Sequence, residues 1–503
     1  MALTPEFSSF EVGYGRGENQ IVFTRLAADL DTPVSLMLKL TGTGRNTFIL
    51  ESVTGGEVRG RYSIIGMKPD LIWTCNGNKS GVNRQARFDL DNYEPQSEPP
   101  LEVLRALIEE SRIDLPEDLP QAAAGFFGYL GYDMIRLVEN LPNINPDPLG
   151  LPDAVMMRPS VIIVLDGVKS EVTVVSPAWV NGQQPARAAY EQAAERVMDA
   201  VHDLERPVPQ VSRYLGEAVE ISPPVSNFAK DEYLAAVEKA KDYIRSGDIF
   251  QVVPSQRWTQ DFPLPPFSLY RSLRQTNPSP FMFYFNFGGF QAIGASPEIL
   301  VRVFGNEVTI RPIAGTRPRG ASPAEDLALE AELLADKKEL AEHLMLLDLG
   351  RNDVGRVSEL GSVWPTEQFT IERYSHVMHI VSNVVGKLAD DKDALSALFA
   401  GMPAGTVSGA PKVRAMEIID ELEPEKRGIY GGGLGYISAG GDMDMCIALR
   451  TAVIKDKKLY IQAGGGVVYD SDPESEYQET IHKSNAIRRA AAEAARFNSG
   501  SNS

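Results

Sequence analysis

Two pairs of glutamates carry spacing that could do chemistry. Glu339 and Glu342 lie three residues apart, and so do Glu476 and Glu479, with Lys483 four further on. On a helix, side chains three or four apart share a face. Two carboxylates on one face repel, so neither pair helps a helix by itself. A divalent cation reverses that cost. Mg2+ needs few carboxylates and keeps coordination sites for water and an anionic substrate. Solvated surface glutamates are the plain alternative. The neighbours favour the cation: His343 and apolar Leu344, Met345 and Leu346 follow Glu342, and the glycines Gly464, Gly465 and Gly466 precede the second pair.

Three glycine-bearing turns could approach an anion through backbone N–H groups: 312–317 (PIAGTR), 404–412 (AGTVSGAPK) and 463–467 (AGGGV). The second lacks the spacing of a nucleotide P-loop. Gly431–Gly435 continues into a strand rather than a helix, which excludes a dinucleotide fingerprint. Each turn could equally be a tight turn with no ligand. Three polar residues interrupt apolar runs. His379 in VMHIV is either a hydrogen-bonded core histidine or an acid–base group. Arg450 in IALRTAV reads as an arginine inside a central strand, and it needs an anion from protein or ligand. Glu298 follows Ser296-Pro297 between two predicted strands, where a surface turn is the alternative.

The elements that must position these residues are legible from period and punctuation. Ser322-Pro323-Ala324-Glu325 predicts a capped helix start, running to about Leu347 with Glu339 and Glu342 on it. Asp472-Pro473 opens a last helix to about Arg496. Helices are also predicted near 101–112, 185–203, 229–246 and 411–422. Strands are predicted over 47–53, 62–66, 71–75, 161–165, 172–175, 250–258, 281–304, 307–313, 377–385, 430–438, 445–454 and 459–468. Runs of strands with helices inserted predict an α+β fold with large, mainly antiparallel sheets. The proline-rich, aperiodic stretch 203–227 predicts a linker between an N-terminal domain (1–202) and a second domain (228–496), intimately packed, with 497–503 as a disordered tail.

Composition bounds the rest. A 503-residue chain with 43% hydrophobic residues can bury more than one core. No apolar run approaches the ~20 residues of a membrane span, and no signal peptide is visible. The net charge of −19 argues against nucleic acid as a partner. The two cysteines, Cys75 and Cys446, read as buried thiols in a reducing cytoplasm. Residue chemistry alone therefore points to a Mg2+-using enzyme acting on a small carboxylate, with a non-catalytic metabolite-binding module as the other class.

Five ordered segments, 312–320 (PIAGTRPRG), 337–357 (KKELAEHLMLLDLGRNDVGRV), 376–384 (HVMHIVSNV), 404–423 (AGTVSGAPKVRAMEIIDELE) and 463–480 (AGGGVVYDSDPESEYQET), resemble the chorismate-utilising enzymes. The resemblance is dense over 228–490 and reaches the N-terminal part through Leu50-Glu51-Ser52 and Gly60-Arg61-Tyr62-Ser63. It implies that family's fold, with sheets sandwiched by helices. Two positions discriminate among members. Isochorismate and salicylate synthases place a water-activating lysine where this chain has Gln251. Aminodeoxychorismate synthases place a nucleophilic lysine where it has Ala314. Both differences imply the anthranilate-forming branch, whose large subunits convert chorismate and ammonia to anthranilate and pyruvate. Aminodeoxychorismate synthase component I and a non-catalytic tryptophan-sensing homologue are the alternatives.

The resemblance also implies roles. Glu342 and Glu479 would hold Mg2+, supported by Glu339 and Glu476. Arg450 and Tyr430 would clamp the enolpyruvyl carboxylate, with the amides of Gly464, Gly465 and Gly466 assisting and Gly315, Thr316, Thr406 and Lys483 lining the pocket. Gln251 would stand at the nucleophile. Glu298 would be the acid for the leaving hydroxyl and His379 would serve the second step. Leu50, Glu51, Ser52, Arg61, Asn277, Pro278, Ser279, Pro280, Phe281, Met282, Leu434 and Tyr436 would form a tryptophan feedback pocket. Neither cysteine sits on a strained glycine-flanked turn of the kind a glutaminase uses. Ammonia is therefore expected from a separate glutamine amidotransferase subunit, in a heterotetramer of two large and two small chains.

Overall fold

Two long strands, Tyr62–Asn76 and Ala154–Asp166, organise the molecule. They pair antiparallel along their whole length, with a register shift between Pro69 and Leu71. Lys68, just before the shift, takes a positive φ of 51°. A bulge bends a strand and lets it pass from one sheet to another. The first half of Tyr62–Asn76 pairs with Thr47–Glu51, which pairs on to Phe281–Asn286, Gln291–Ser296, Thr451–Lys455 and Lys458–Gly464. Beyond the shift, the first half of Ala154–Asp166 pairs with Gly125–Leu130, then Gly433–Ser438, Met443–Ile447 and Ile299–Phe304. These pairings are all antiparallel. The computed structural model describes residues 2–41, 44–52, 60–182, 184–209, 222–374 and 377–497.

One core lies between the two layers. Phe48 stacks on Phe127 from the other branch, with ring centroids 4.5 Å apart, and on Phe285 at 5.2 Å. Burying each such ring contributes about 1.5–3 kcal/mol. The helices Pro33–Leu40, Ala186–Glu205, Pro266–Thr276 and Pro473–Glu493 cover one outer face. Pro100–Glu110, Lys337–Gly355 and Ala394–Gly401 cover the other. This is the expected α+β fold of antiparallel sheets between helices. Thr47–Glu51 pairs with Phe281–Asn286, and Gly125–Leu130 with Gly433–Ser438. The parts before and after the expected linker therefore share both sheets.

Three expectations are corrected. The helix opened by Ser322 stops at Ala335, and a second, Lys337–Gly355, begins after Asp336. The Asp336 side chain accepts from the amides of Lys338 and Glu339, so it caps a new helix where the sequence period suggested continuity. The strand expected over 250–258 is split at Val253-Pro254 into Gln251–Val252 and Ser255–Asp261. The strand expected over 445–454 is broken into Met443–Ile447 and Thr451–Lys455. Arg450 lies in that break with φ 48° rather than inside a central strand. Within the expected linker, Val225–Ser226 pairs with Trp258 and Thr259, while 210–221 lies outside the described residues. Of the expected tail, 498–503 also lies outside them; the carbonyl of Phe497 accepts from Arg271.

Candidate active site

The run Gly464-Gly465-Gly466 leaves the end of strand Lys458–Gly464 without side chains, and three functional groups crowd against it. A Cβ on Gly464 would stand 3.1 Å from the Tyr430 hydroxyl, on Gly465 3.1 Å from Glu476 Oε2, and on Gly466 2.6 Å from Gln251 Nε2. A side chain here would displace these groups, and at Gly464 it would also meet the Pro254 carbonyl oxygen at 2.8 Å. Gln251 donates from Nε2 to Glu342 Oε1 at 3.3 Å, which joins the hub to the Lys337–Gly355 helix. Lys483, one turn beyond Glu479, bridges Glu479 at 2.7 Å and donates to the Gly464 carbonyl at 3.0 Å.

The four glutamates from two helices therefore share one electrostatic neighbourhood. Burial, then the charges of Glu339 and Glu479, hold the Glu342 carboxyl above its ordinary range. Burial and Glu479 push Glu476 up to about 7 against the hydrogen bond from Ser471. Glu476 Oε2 is buried with no partner among the described residues. Glu339 is engaged by Arg317 at 3.4 Å, but that guanidinium also serves Glu332 and Asp336. Among the described residues, no three acidic, histidine or cysteine side chains stand close enough to hold an ion as they are. The donor set still fits one: oxygen ligands on facing helices, a buried carboxylate oxygen without a partner, and too little positive charge nearby.

A second group of residues faces the glutamates. Glu298 is buried, not in a surface turn. Burial raises its carboxyl to about 8, although Thr406, the backbone of Ile313 and Arg450 all favour the ionised form. Thr406 donates to Glu298 Oε1 at 3.4 Å. The Arg450 guanidinium makes no hydrogen bond or ion pair to a described residue, and burial pulls its pKa down against the charges of Tyr374 and Glu298. An unmatched arginine beside a glutamic acid is suited to a carboxylate ligand. His379 lies across from Thr316 and Glu372 in the sheet. Its Nδ1 is 3.0 Å from Thr316 Oγ1 and 3.1 Å from the Gly315 carbonyl. Gly315, with φ 67°, brings that carbonyl under the ring. Burial lowers the His379 pKa. Tyr430 is buried, and burial raises its pKa.

A separate cavity of about 680 Å3 opens between the N-terminal part and the second sheet branch. Of the expected feedback residues, Leu50, Glu51, Ser52, Arg61, Pro280, Phe281, Met282, Leu434 and Tyr436 line it. Asn277, Pro278 and Ser279 do not: they connect the Pro266–Thr276 helix to the strand whose first residues reach the cavity. Glu51 is held by Tyr270 and by Arg274.

Comparison with known proteins agrees with this arrangement. The sequence model of the chorismate binding enzyme family matches residues 65–489. This chain belongs to the chorismate-binding enzymes. It is 73% identical over 98% of its length, and 98% of the relative's, to an anthranilate synthase component 1 of Cereibacter sphaeroides. It is 48% identical to that of Pseudomonas aeruginosa over 92% of this chain and 94% of the other. The crystal structure of anthranilate synthase component I from Streptococcus pneumoniae superposes with a TM-score of 0.75 at 38% identity, covering 92% of this chain and 98% of that one. The menaquinone-specific isochorismate synthase of Escherichia coli shares the fold, with a TM-score of 0.70 at 19% identity over 97% and 99% of the two chains.

In this chorismate-binding enzyme, some functional neighbours escaped the sequence. His343 beside Glu342 does not join the carboxylates. It is fully buried, its Nε2 meets Ser382 Oγ at 2.6 Å, and burial lowers its pKa to about 4. Tyr374 packs edge-on against His379 with centroids 5.5 Å apart. Arg317 restrains Glu339. Lys412 and Asp353 pair beneath the 402–411 loop. The sequence marked His343, Arg317 and Lys412 only as neighbours of the glutamates or members of glycine-bearing turns; the contacts they make, to Ser382, Glu339 and Asp353, depend on tertiary structure.

Proposed function

We propose that this chain is the chorismate-converting subunit of an anthranilate synthase, forming anthranilate and pyruvate from chorismate and ammonia. The observation that carries the reading is the near-full-length 73% identity to an anthranilate synthase component 1. Gln251, pinned to Glu342, and Ala314 agree with it, since neither supplies the lysine that the resembling water-using or covalent routes employ.

The enolpyruvyl carboxylate is taken by Arg450 and Tyr430 beside the Gly464-Gly465-Gly466 turn, in which the Gly465 N–H is already given to the Pro254 carbonyl. Glu339, Glu342, Glu476 and Glu479 would hold Mg2+, whose charge offsets the ring carboxylate of chorismate against the acidic site. Gly315, Thr316, Thr406 and Lys483 border the substrate, and Gln251 faces the incoming ammonia. Ammonia bonds to C2 of the ring while the C4 hydroxyl departs as water with the proton of Glu298. The added nitrogen gives up its extra proton to the Glu298 carboxylate. His379 then removes the C2 proton, its C–H electrons complete the aromatic ring as the ring C3–O bond breaks, and the departing enolpyruvate takes up a proton at its methylene carbon to become pyruvate.

Ammonia comes from glutamine through a second subunit. Cys75 and Cys446 are both buried, and burial pushes the Cys75 thiol up to about 12 and Cys446 higher still, so neither is placed as a glutaminase nucleophile. The relatives' designation as a first component supports such a partner. The two kinds of chain would assemble two by two, in the cytoplasm. Among the described residues, no helix is long and apolar enough to cross a membrane. The cavity lined by Leu50, Ser52, Met282 and Tyr436 is assigned to tryptophan as feedback inhibitor.

Incubation with chorismate, Mg2+ and ammonium tests the reading. Anthranilate fluorescence with equimolar pyruvate is expected, and glutamine alone supports no turnover. An aminated product without pyruvate would instead assign the chain to aminodeoxychorismate synthesis. Tryptophan binding without any turnover would make it a sensor.

A further inference from the structure

Lys412 opens the Lys412–Leu422 helix, yet its ammonium is not at the surface. The side chain is 10% exposed, and Nζ lies 2.8 Å from Asp353 Oδ2, whose own side chain is 5% exposed. Nζ also donates to the Gly401 carbonyl at 3.1 Å. Three elements meet at this cation. Asp353 belongs to the Lys337–Gly355 helix that carries Glu339 and Glu342. Gly401 ends the Ala394–Gly401 helix, whose terminal carbonyls favour a positive charge. Lys412 itself follows the 402–411 loop that carries Thr406.

The far side of that loop is tied separately. Arg427, paired with Glu423, donates to the Val407 carbonyl at 2.5 Å. Val253 N–H donates to the Ser408 carbonyl at 2.9 Å, and Gln251 and Val252 pair with Ala410 and Gly409. The loop thus carries Thr406 and fixes Gln251. The loop packs closely on the Glu342 helix at Gly405, where an added Cβ would stand 2.3 Å from Leu349 Cδ2. Beside that contact a cavity of about 30 Å3 is lined by Glu298, Thr406 and Asp353, so packing fixes the approach at Gly405 but leaves the Thr406 side chain room to shift.

The energetics point the same way. Removing two ions from water is costly, and a well-packed apolar pair of similar volume often stabilises as much or more. Burial drags the Lys412 pKa down and the Asp353 pKa up, and Asp353 Oδ1 has no partner among the described residues. Adhesion alone does not require charges at this junction. An ion pair with a directional carbonyl bond does supply a single fixed geometry. The dependent contact is sensitive to it, because Thr406 reaches Glu298 at 3.4 Å, already long for an O–H···O bond.

We propose that the Lys412–Asp353 pair is a positioning strut that sets Thr406, and through it the carboxyl of Glu298, relative to the glutamates of the Lys337–Gly355 helix. The proposal rests on the reading of Glu298 as the acid of anthranilate formation. Lys412 and Asp353 touch no substrate; they act through the loop.

The double variant Lys412→Met/Asp353→Leu tests it in the full chain, with chorismate, Mg2+ and ammonium, alongside Lys412→Arg and Asp353→Asn. The double variant is expected to melt within a few degrees of the parent, yet to lose about 100-fold in kcat, the scale of a small misplacement in an active site, with KM for chorismate nearly unchanged. Its alkaline activity limb should move to higher pH as the Thr406 bond is lost. Lys412→Arg should retain most activity. Should the double variant fail to fold, Asp353→Asn must show the same kcat loss and shifted limb. Parental kcat with an unmoved limb, or a kcat loss with an unmoved limb, would overturn the strut alone. A parent protein that makes no anthranilate would overturn the functional reading and the strut together.

Discussion

Thr406 directs its hydroxyl at Glu298 Oε1 from 3.4 Å, the one side-chain hydrogen bond that this carboxyl receives from a described residue. Burial has driven Glu298 to about 8, so it carries its proton at neutral pH and can give it to a leaving hydroxyl. Activity should fall as pH rises through about 8. Glu298→Gln should lower kcat by about 10²–10⁴-fold. Thr406 favours the ionised carboxyl, so Thr406→Val raises the Glu298 pKa further and carries the alkaline limb upward. A pH–rate series on the three proteins decides this; an alkaline limb unaffected by Thr406→Val would reject the assignment.

His379 should govern the second step. With Nδ1–H donating to the Gly315 carbonyl, Nε2 keeps a free lone pair. Burial lowers its pKa, so the acid limb of activity should lie below that of an ordinary histidine at about 6.5. In His379→Asn, chorismate should still disappear with ammonium while pyruvate release slows by about 100-fold. Stopped-time product analysis for the aminated ring compound reads this directly, and unchanged pyruvate release would remove His379 from the mechanism.

Metal removal should abolish turnover, and Mg2+ should restore it. The apo protein should also show a pH signature. Glu476 is raised to about 7 from 4.5 by burial and by Glu479. The folded state therefore holds a proton that the unfolded state has released, and stability falls as pH rises from about 4.5 to 7. In EDTA, Glu476→Gln should flatten that part of the Tm-against-pH curve. Saturating Mg2+ should flatten it in the parent by stabilising the charged form. Full activity of Glu479→Ala in EDTA would contradict the metal role.

Tryptophan should inhibit through the 680 Å3 cavity. Pro297, Ile299 and Ile313 line it, while Glu298 and Pro312 between them line the smaller cavity beside Thr406. The segments 297–299 and 311–313 therefore border both cavities, and the backbone of Ile313 bonds Glu298. Ser52 Oγ is buried without a described partner. Ser52→Ala should raise the tryptophan needed for half-inhibition by about tenfold, the cost of a lost hydrogen bond to a charged ligand, with uninhibited kcat unchanged. Linkage requires chorismate to weaken tryptophan binding by the same factor as the reverse. Calorimetric titration with and without chorismate measures it; equal affinities would exclude coupling.

The sequence alone determined what depends on local order and on matched motifs. The cap at Ser322, the start at Asp472-Pro473, the antiparallel strand character and the paired glutamates follow from residue type and spacing, because capping and helical or strand periods act over a few residues. Tertiary structure decided what depends on distant partners. It ended a helix at Asp336, where propensity saw none, and it placed Arg450 in a left-handed break, since strand registers on either side left no room for continuity. It brought Gln251, Glu342 and Gly466 together across more than 200 residues. It buried Glu298 rather than exposing it, and it kept Asn277, Pro278 and Ser279 off the cavity that their neighbours line. Desolvation and charge neighbourhood, which set the acid–base character of these groups, arise only when the two sheets and their covering helices close around them.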